Sequence, residues 1–170
     1  MDPKPNQPFD AATTVEHSAE ATVQLRSPRP LIVDPVMLDG MMAHLRDWLP
    51  NEGCGLLAAI PEWDADRAAH FFPGTNIDRS PVRFTMDPVE VIAAMKRMRD
   101  EHWELAAIVH SHPRTQPAPS RTDQNEWYYP EARLLIVSFA GEEPEIGCWA
   151  LTGDQMAREF RASQLLVAGR

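Results

Sequence analysis

The sequence predicts a single α/β (α+β) domain, a sandwich in which a mixed sheet is flanked by helices. Three features carry that expectation: apolar runs of strand length recur, two amphipathic helices each open with Asp-Pro, and turn signals join at least one strand pair as a hairpin. The 170 residues suit one domain with a core of its own. With 44% apolar and 24% charged residues, the composition is that of an ordinary globular protein.

Residues 1–30 are rich in Pro, Ala, Thr and Glu and show no apolar period, which predicts a mobile N-terminal tail ahead of a domain over 31–170. Leu31-Ile32-Val33 reads as a first short strand. Asp34 then supplies an N-cap and Pro35 the first helical position. Val36, Leu38, Met41, Met42, Leu45 and Leu49 follow near helical spacing, and Pro50 ends the helix. Gly55 to Ile60 is a buried strand. Ala68 to Phe72 and Val82 to Met86 read as two more, separated by the turn-rich PGTNIDRSP. Asp87-Pro88 repeats the cap-then-proline signal, and Val91, Ile92, Met95 and Met98 carry that helix to about His102. Strands at Leu105–Val109, Arg133–Phe139 and Ile146–Leu151 follow, with turns at Gly141 and Gly153, and Met156–Val167 reads as strand.

The formal net charge of -9 argues against a nucleic-acid binder, whose affinity comes largely from neutralising phosphates, although a local basic groove can sit inside an acidic total. No stretch approaches the roughly 18 apolar residues of a membrane helix. The opening MDPKPNQPFD lacks the basic start and apolar run of a secretory signal, and two cysteines do not make a disulfide framework. A cytoplasmic location is the expectation.

The chemistry concentrates in the segment HSHPRTQPAPSRTD, which begins at His110. Residues i and i+2 of a strand share a face, so His110 and His112 can aim two imidazoles at one point. Asp123 is placed to supply a third ligand. Two imidazoles and a carboxylate with a fourth position open form the donor set of a catalytic zinc, whereas a structural site would be closed and usually built from cysteines. Ser-x-x-Asp ahead of a helix is also close to a capping box, with Ser120 as N-cap and Asp123 in the first turn. The two readings are compatible, because the cap would fix Asp123 against the histidine strand.

These residues resemble the JAMM motif of the MPN+ (JAB) zinc metallopeptidases, a distant Glu followed by His-x-His, seven residues, then Ser-x-x-Asp. Pro50-Asn51-Glu52-Gly53-Cys54-Gly55-Leu56-Leu57 resembles the upstream part of the same pattern. Asn76, Ser80, Pro81, Phe84, Met86, Asp87 and Pro88, and Tyr128-Tyr129-Pro130 before LLIVSF, are similar to stretches of small bacterial members. The likeness spans about residues 31–151 with no departure at a motif position. It implies the MPN fold, a cytidine-deaminase-like mixed sheet flanked by helices. It implies a zinc-dependent peptidase with His110, His112 and Asp123 on the metal, Glu52 as general base and then acid, and Ser120 as oxyanion donor. The implied substrate is a ubiquitin-like or sulfur-carrier protein, cut at a peptide or isopeptide bond after its C-terminal Gly-Gly. Asn76 to Phe84 would form one wall of a groove for the extended tail, with Trp127, Tyr128 and Tyr129 either on the other side or serving helix-end and strand-start packing.

By strand alternation Ser111 faces away from the ligands and is structural. Cys54 and Cys148 read as small buried residues rather than nucleophiles, with a disulfide between them left open. His17, His44, His70 and His102 have no partner at ligand spacing. Two rivals remain: an MPN-type scaffold without catalysis, which the complete ligand set disfavours, and a RadC-like protein linked with DNA repair, which the acidic charge and the Glu-x-Cys-Gly-Leu-Leu stretch disfavour. Metallo-β-lactamase sites want His-x-His-x-Asp-His and zinc deaminases Pro-Cys-x-x-Cys, and neither is present.

Overall fold

The computed structural model describes residues 29–153 and 159–169. Residues 1–28, nearly all of the expected tail, lie outside the described residues. The element order is β1 (Leu31–Val33), α1 (Pro35–Asp47), β2 (Cys54–Pro61), β3 (Asp66–Gly74), α2 (Pro88–Asp100), β4 (Glu104–His112), α3 (Arg121–Asn125), β5 (Arg133–Ser138), β6 (Glu145–Thr152), β7 (Glu159–Ala162) and β8 (Leu165–Val167). They form one eight-stranded sheet in the order β7-β6-β5-β4-β2-β3-β1-β8. The β4–β5, β1–β3 and β1–β8 pairs are parallel and the others antiparallel. The sheet is mixed and the class α+β, as the sequence predicts.

Strand alternation divides the core into two layers. Leu57, Ala59, Ala107 and Val109 pack with Met41 and Leu45 of α1 on one face. Cys54, Leu56, Ala58 and Ile108 pack with Ala94 and Met98 of α2 on the other. The central strands are therefore continuously apolar, since both of their faces are covered. Each Leu or Ile fully buried this way contributes roughly 1.5–3 kcal/mol, so the interior does not rely on one face alone. His110 and His112 share the α2 side of β4 by the same parity, and Ser111 faces the α1 side.

The Asp-Pro starts hold. The Asp34 carboxylate accepts from Val36 N at 2.8 Å, and Asp87 caps Val89 N at 2.8 Å. Four expectations change. Val82–Met86 is not a strand: it makes only a bridge from Met86 to Asn76, because the Asn76 side chain takes the Thr85 N–H and the Arg83 carbonyl that a ladder would need. On α1 the apolar face is narrower than the spacing suggests, for Val36 is exposed, and the helix ends at Asp47 so that Leu49 lies beyond it and is exposed. On α2 Ile92 faces solvent and Ala94 is buried instead. That helix ends at Asp100, with His102 in a left-handed backbone conformation at φ 58°. Of the strand expected over 156–167, residues 156–158 lie outside the described residues, and the remainder divides into β7 and β8. Among the described residues no helix is long and apolar enough to cross a membrane.

Candidate active site

The C-terminal end of β4 carries both histidines, His110 fully buried and His112 nearly so. Their Nε2 atoms are 3.0 Å apart. The Asp123 carboxylate closes the group, 3.3 Å from His110 Nε2 and 3.7 Å from His112 Nε2. Among the described residues these three are the group of His, Cys, Asp and Glu side chains able to share a metal ion. Bonds of about 2.0–2.1 Å to a tetrahedral zinc put neighbouring donors about 3.3 Å apart. The observed separations bracket that edge, so the donor set fits the ion.

Each donor is aimed by its surroundings. His112 Nδ1 donates to the Gln116 carbonyl at 2.9 Å, leaving the Nε2 lone pair free for the cluster. Phe84 stacks on the His110 ring, with centroids 4.7 Å apart. His110 Nδ1 is buried with no hydrogen-bond partner, so stacking rather than hydrogen bonding orients that ring. Asp123 is held by the capping box: its Oδ2 accepts from Ser120 N at 2.7 Å while Ser120 Oγ accepts from Asp123 N at 3.2 Å. The hydroxyl oxygen is the acceptor in that cap, and the hydroxyl also lies within reach of the Asp123 carboxylate, whose pKa it helps to hold down.

The proline-rich loop 113–119 returns Ser120 and Asp123 to the histidine strand. Its carbonyls at Thr115, Gln116 and Pro117 are taken by Ser138 Oγ at 2.7 Å, His112 Nδ1 at 2.9 Å and Trp149 Nε1 at 2.8 Å. Gly147 makes room for it; a Cβ there would overlap the Pro117 carbonyl oxygen and lie 2.6 Å from Trp149 Nε1.

Glu52 arrives from the neighbouring strand. Cys54 pairs with His110 in antiparallel register, so Glu52, two residues earlier, comes level with His112. Ser111 fixes that approach from the other face, accepting from Gly53 N at 2.8 Å through its hydroxyl and donating its N–H to Gly53 O at 2.9 Å. Glu52 is 6% exposed. Burial pushes its carboxyl up from 4.5 to about 7, partly offset by His112 and reinforced by Asp123. Burial, against the pull of Asp123 and with help from His112, brings His110 down to about 4. Asp123 falls to about 2: its burial acts upward, and the hydrogen bonds and charges of His112, His110 and Ser120 outweigh it. His112 is raised, its burial outweighed by the bonds to Asp123 and Gln116. One buried carboxyl near neutrality beside another that is fully ionised is the division that acid–base chemistry needs.

A cleft of about 300 Å³ opens here, lined by Glu52, Ser120 and Asp123 at one end. Val82, Arg83 and Phe84 from the β3–α2 segment line it, as do Trp127, Tyr128 and Tyr129 from the segment after α3. Trp127 also packs edge-on against Phe160, so it serves the core as well. Cys54 and Cys148 are free and buried, with burial pushing their thiols up to about 12 and about 11. They offer no thiolate. His44, His70 and His102 stand apart from the cluster; His44 donates to the Cys54 carbonyl and His70 packs between Phe72 and Trp103. His17 lies outside the described residues. Asn76, singled out in the sequence only by its place in the resemblance, bonds the Glu52 carbonyl; the Gln116 carbonyl behind His112 carried no sequence signal.

Residues 34–152 match the family model for prokaryotic homologs of the JAB domain. The chain is 36% identical over 108 residues to the CysO-cysteine peptidase of Mycobacterium tuberculosis, covering 64% of this chain and 73% of that protein. It is 30% identical over 134 residues to the desampylase of Haloferax volcanii, covering 76% and 90%. A solution structure of a Desulfitobacterium hafniense protein superposes with a TM-score of 0.70 at 30% identity, covering 82% of this chain and 94% of that one. With this fold, this motif spacing and a family match over most of its length, the chain belongs to the prokaryotic JAB-domain family.

Proposed function

We propose that the protein is a zinc-dependent peptidase of the JAMM type that hydrolyses the peptide or isopeptide bond after the C-terminal Gly-Gly of a ubiquitin-like or sulfur-carrier protein. The observation that carries this reading is the convergence of His110, His112 and Asp123 on one point, with the buried Glu52 carboxyl in the same cleft. The names of the relatives, a CysO-cysteine peptidase and a desampylase, support a substrate of that class.

His110, His112 and Asp123 would hold the ion, which when bound polarises a carbonyl and makes water nucleophilic near neutral pH. Glu52 takes the proton of the attacking water and later delivers it to the departing amine. A carboxyl poised near neutrality suits both transfers. Ser120 turns its hydroxyl to donate a hydrogen bond to the oxyanion. The cleft lined by Val82–Phe84 and Trp127–Tyr129 takes the extended tail, and glycines suit a cleft of about 300 Å³ because they bring no side chains. A bulky residue at the penultimate position would meet both walls.

The test uses purified protein and Gly-Gly-ended ubiquitin-fold carriers extended by an amino acid or a fused peptide, with products weighed by mass spectrometry. Cleavage after the second glycine is expected, and Glu52→Gln should abolish it while zinc stays bound. Full activity of that variant would remove Glu52 from its role. One equivalent of zinc with no cleavage of any carrier would favour a scaffold.

A further inference from the structure

The loop between β3 and α2 forms a wall of the cleft and also reaches under the proposed base. Asn76 stands at its start, fully buried, with both ends of its amide engaged. Its Oδ1 accepts from Asp78 N at 3.1 Å and Thr85 N at 3.2 Å, which closes the loop on itself. Its Nδ2 donates to Arg83 O at 3.1 Å and to the Glu52 carbonyl at 2.9 Å. The same loop accepts from Glu52 N through Ser80 O at 2.8 Å. Both backbone polar groups of Glu52 are therefore held by the segment whose residues Val82, Arg83 and Phe84 face the cleft. Those of Gly53 are held by Ser111, between the two histidines.

We infer that Asn76 is a positioning residue: it ties the tail-binding wall of the cleft to the backbone of Glu52, setting the height of the general base over the scissile bond. The inference rests on the peptidase reading above. An unbonded carbonyl at Glu52 would let that residue rotate about the Ser80 and Ser111 bonds that remain. A misplacement of about 1 Å at a reacting group costs on the order of 100-fold in rate. The bond of Nδ2 to Arg83 O makes the link two-way, because a tail pressing on Arg83 acts on the same amide that holds Glu52.

Asn76→Asp tests it. The shape and the Oδ1 acceptor persist, and the loop keeps its Ile77 N to Thr85 O bond at 2.9 Å. The new side chain offers at most one proton where the amide gave two, and none once ionised, so Glu52 O and Arg83 O can no longer both be bonded. The zinc-loaded full chain is assayed on a Gly-Gly-ended ubiquitin-fold carrier fused to a peptide, and the affinity for the cleaved carrier is measured by calorimetry. The expected result is a kcat lower by on the order of 100-fold, with carrier affinity, zinc content and cooperative melting retained. A kcat within about threefold of wild type overturns the inference, as does a loss confined to KM and carrier affinity. Should N76D not fold, Asn76→Ala is read by the same criteria. If neither variant folds, Asn76 serves stability and the inference fails. A wild type that cleaves no carrier sinks the peptidase reading itself, a result distinct from wild type and N76D cleaving equally well.

Discussion

Glu52 meets opposing demands from the fold and from the chemistry. The folded chain raises its carboxyl from 4.5 to about 7 through burial, so between those pH values the metal-free native state binds a proton that the unfolded chain has released. Its favourable contribution is complete below about pH 4.5 and is lost as pH rises through about 7. Glu52→Gln carries no such loss. Chelator-treated E52Q should therefore melt higher than chelator-treated wild type in mildly alkaline buffer, by about 2–4 °C for each kcal/mol, with the gap closing in acid. Parallel plots of Tm against pH for the two proteins would refute it. Ser120 shows the same double service in another form. Its oxygen caps α3, and its hydroxyl lies beside the Asp123 carboxylate and the open cleft. Ser120→Ala should lose about 0.5–2 kcal/mol of stability from the cap and about 100- to 1,000-fold in kcat from the missing donor. Ser120→Thr, which keeps hydroxyl and cap, should restore most of both. A kcat for S120A near wild type would confine the residue to capping.

At the level of elements, the site depends on a loop that has almost no regular structure. Three successive carbonyls, from Thr115 to Pro117, are bonded by β5, β4 and β6 in turn. They fix where α3 starts and hence where Asp123 faces the histidines. Gly147 on β6 is the position where this arrangement has no slack. Gly147→Ala would drive the Pro117 carbonyl outward and weaken its bond from Trp149. The expected effect is a zinc affinity lower by about 10- to 100-fold, the range seen when groups behind metal ligands are disturbed. Competition with a chromophoric chelator measures it. An unchanged affinity would mean that the capping box alone sets Asp123. The Phe84 stacking on His110 is a second such support, supplied by the β3–α2 loop.

The molecule as a whole explains which features were legible in the sequence. His110 and His112 were legible because strand alternation is a strict period of two, and the helix starts because Asp-Pro has one local meaning. Val82–Met86 was misread as strand because its apolar residues line a cleft rather than a ladder, and although Asn76 stood within the family resemblance, nothing in its local sequence shows that its amide claims that backbone. The Gln116 carbonyl behind His112 left no trace, since every residue has a carbonyl. The α1 layer was legible through Met41 and Leu45, and it lies on the face of β4 opposite His110 and His112, whereas the α2 layer shares their face and lends Leu56, Met86 and Ile108 to the cleft. Removal of zinc should therefore leave a folded protein. An ion held by His110, His112 and Asp123 would stabilise the native state, and at 100 times its dissociation constant it should add about 2.7 kcal/mol, or roughly 5–10 °C in Tm. Its ligands must be unprotonated. His112 has the raised pKa of the two imidazoles and so takes a proton first as pH falls, which makes the zinc-dependent rise in Tm shrink in mild acid. Differential scanning calorimetry with and without chelator, across pH, measures this. Collapse of the fold on chelation, or a Tm indifferent to zinc at every pH, would contradict it.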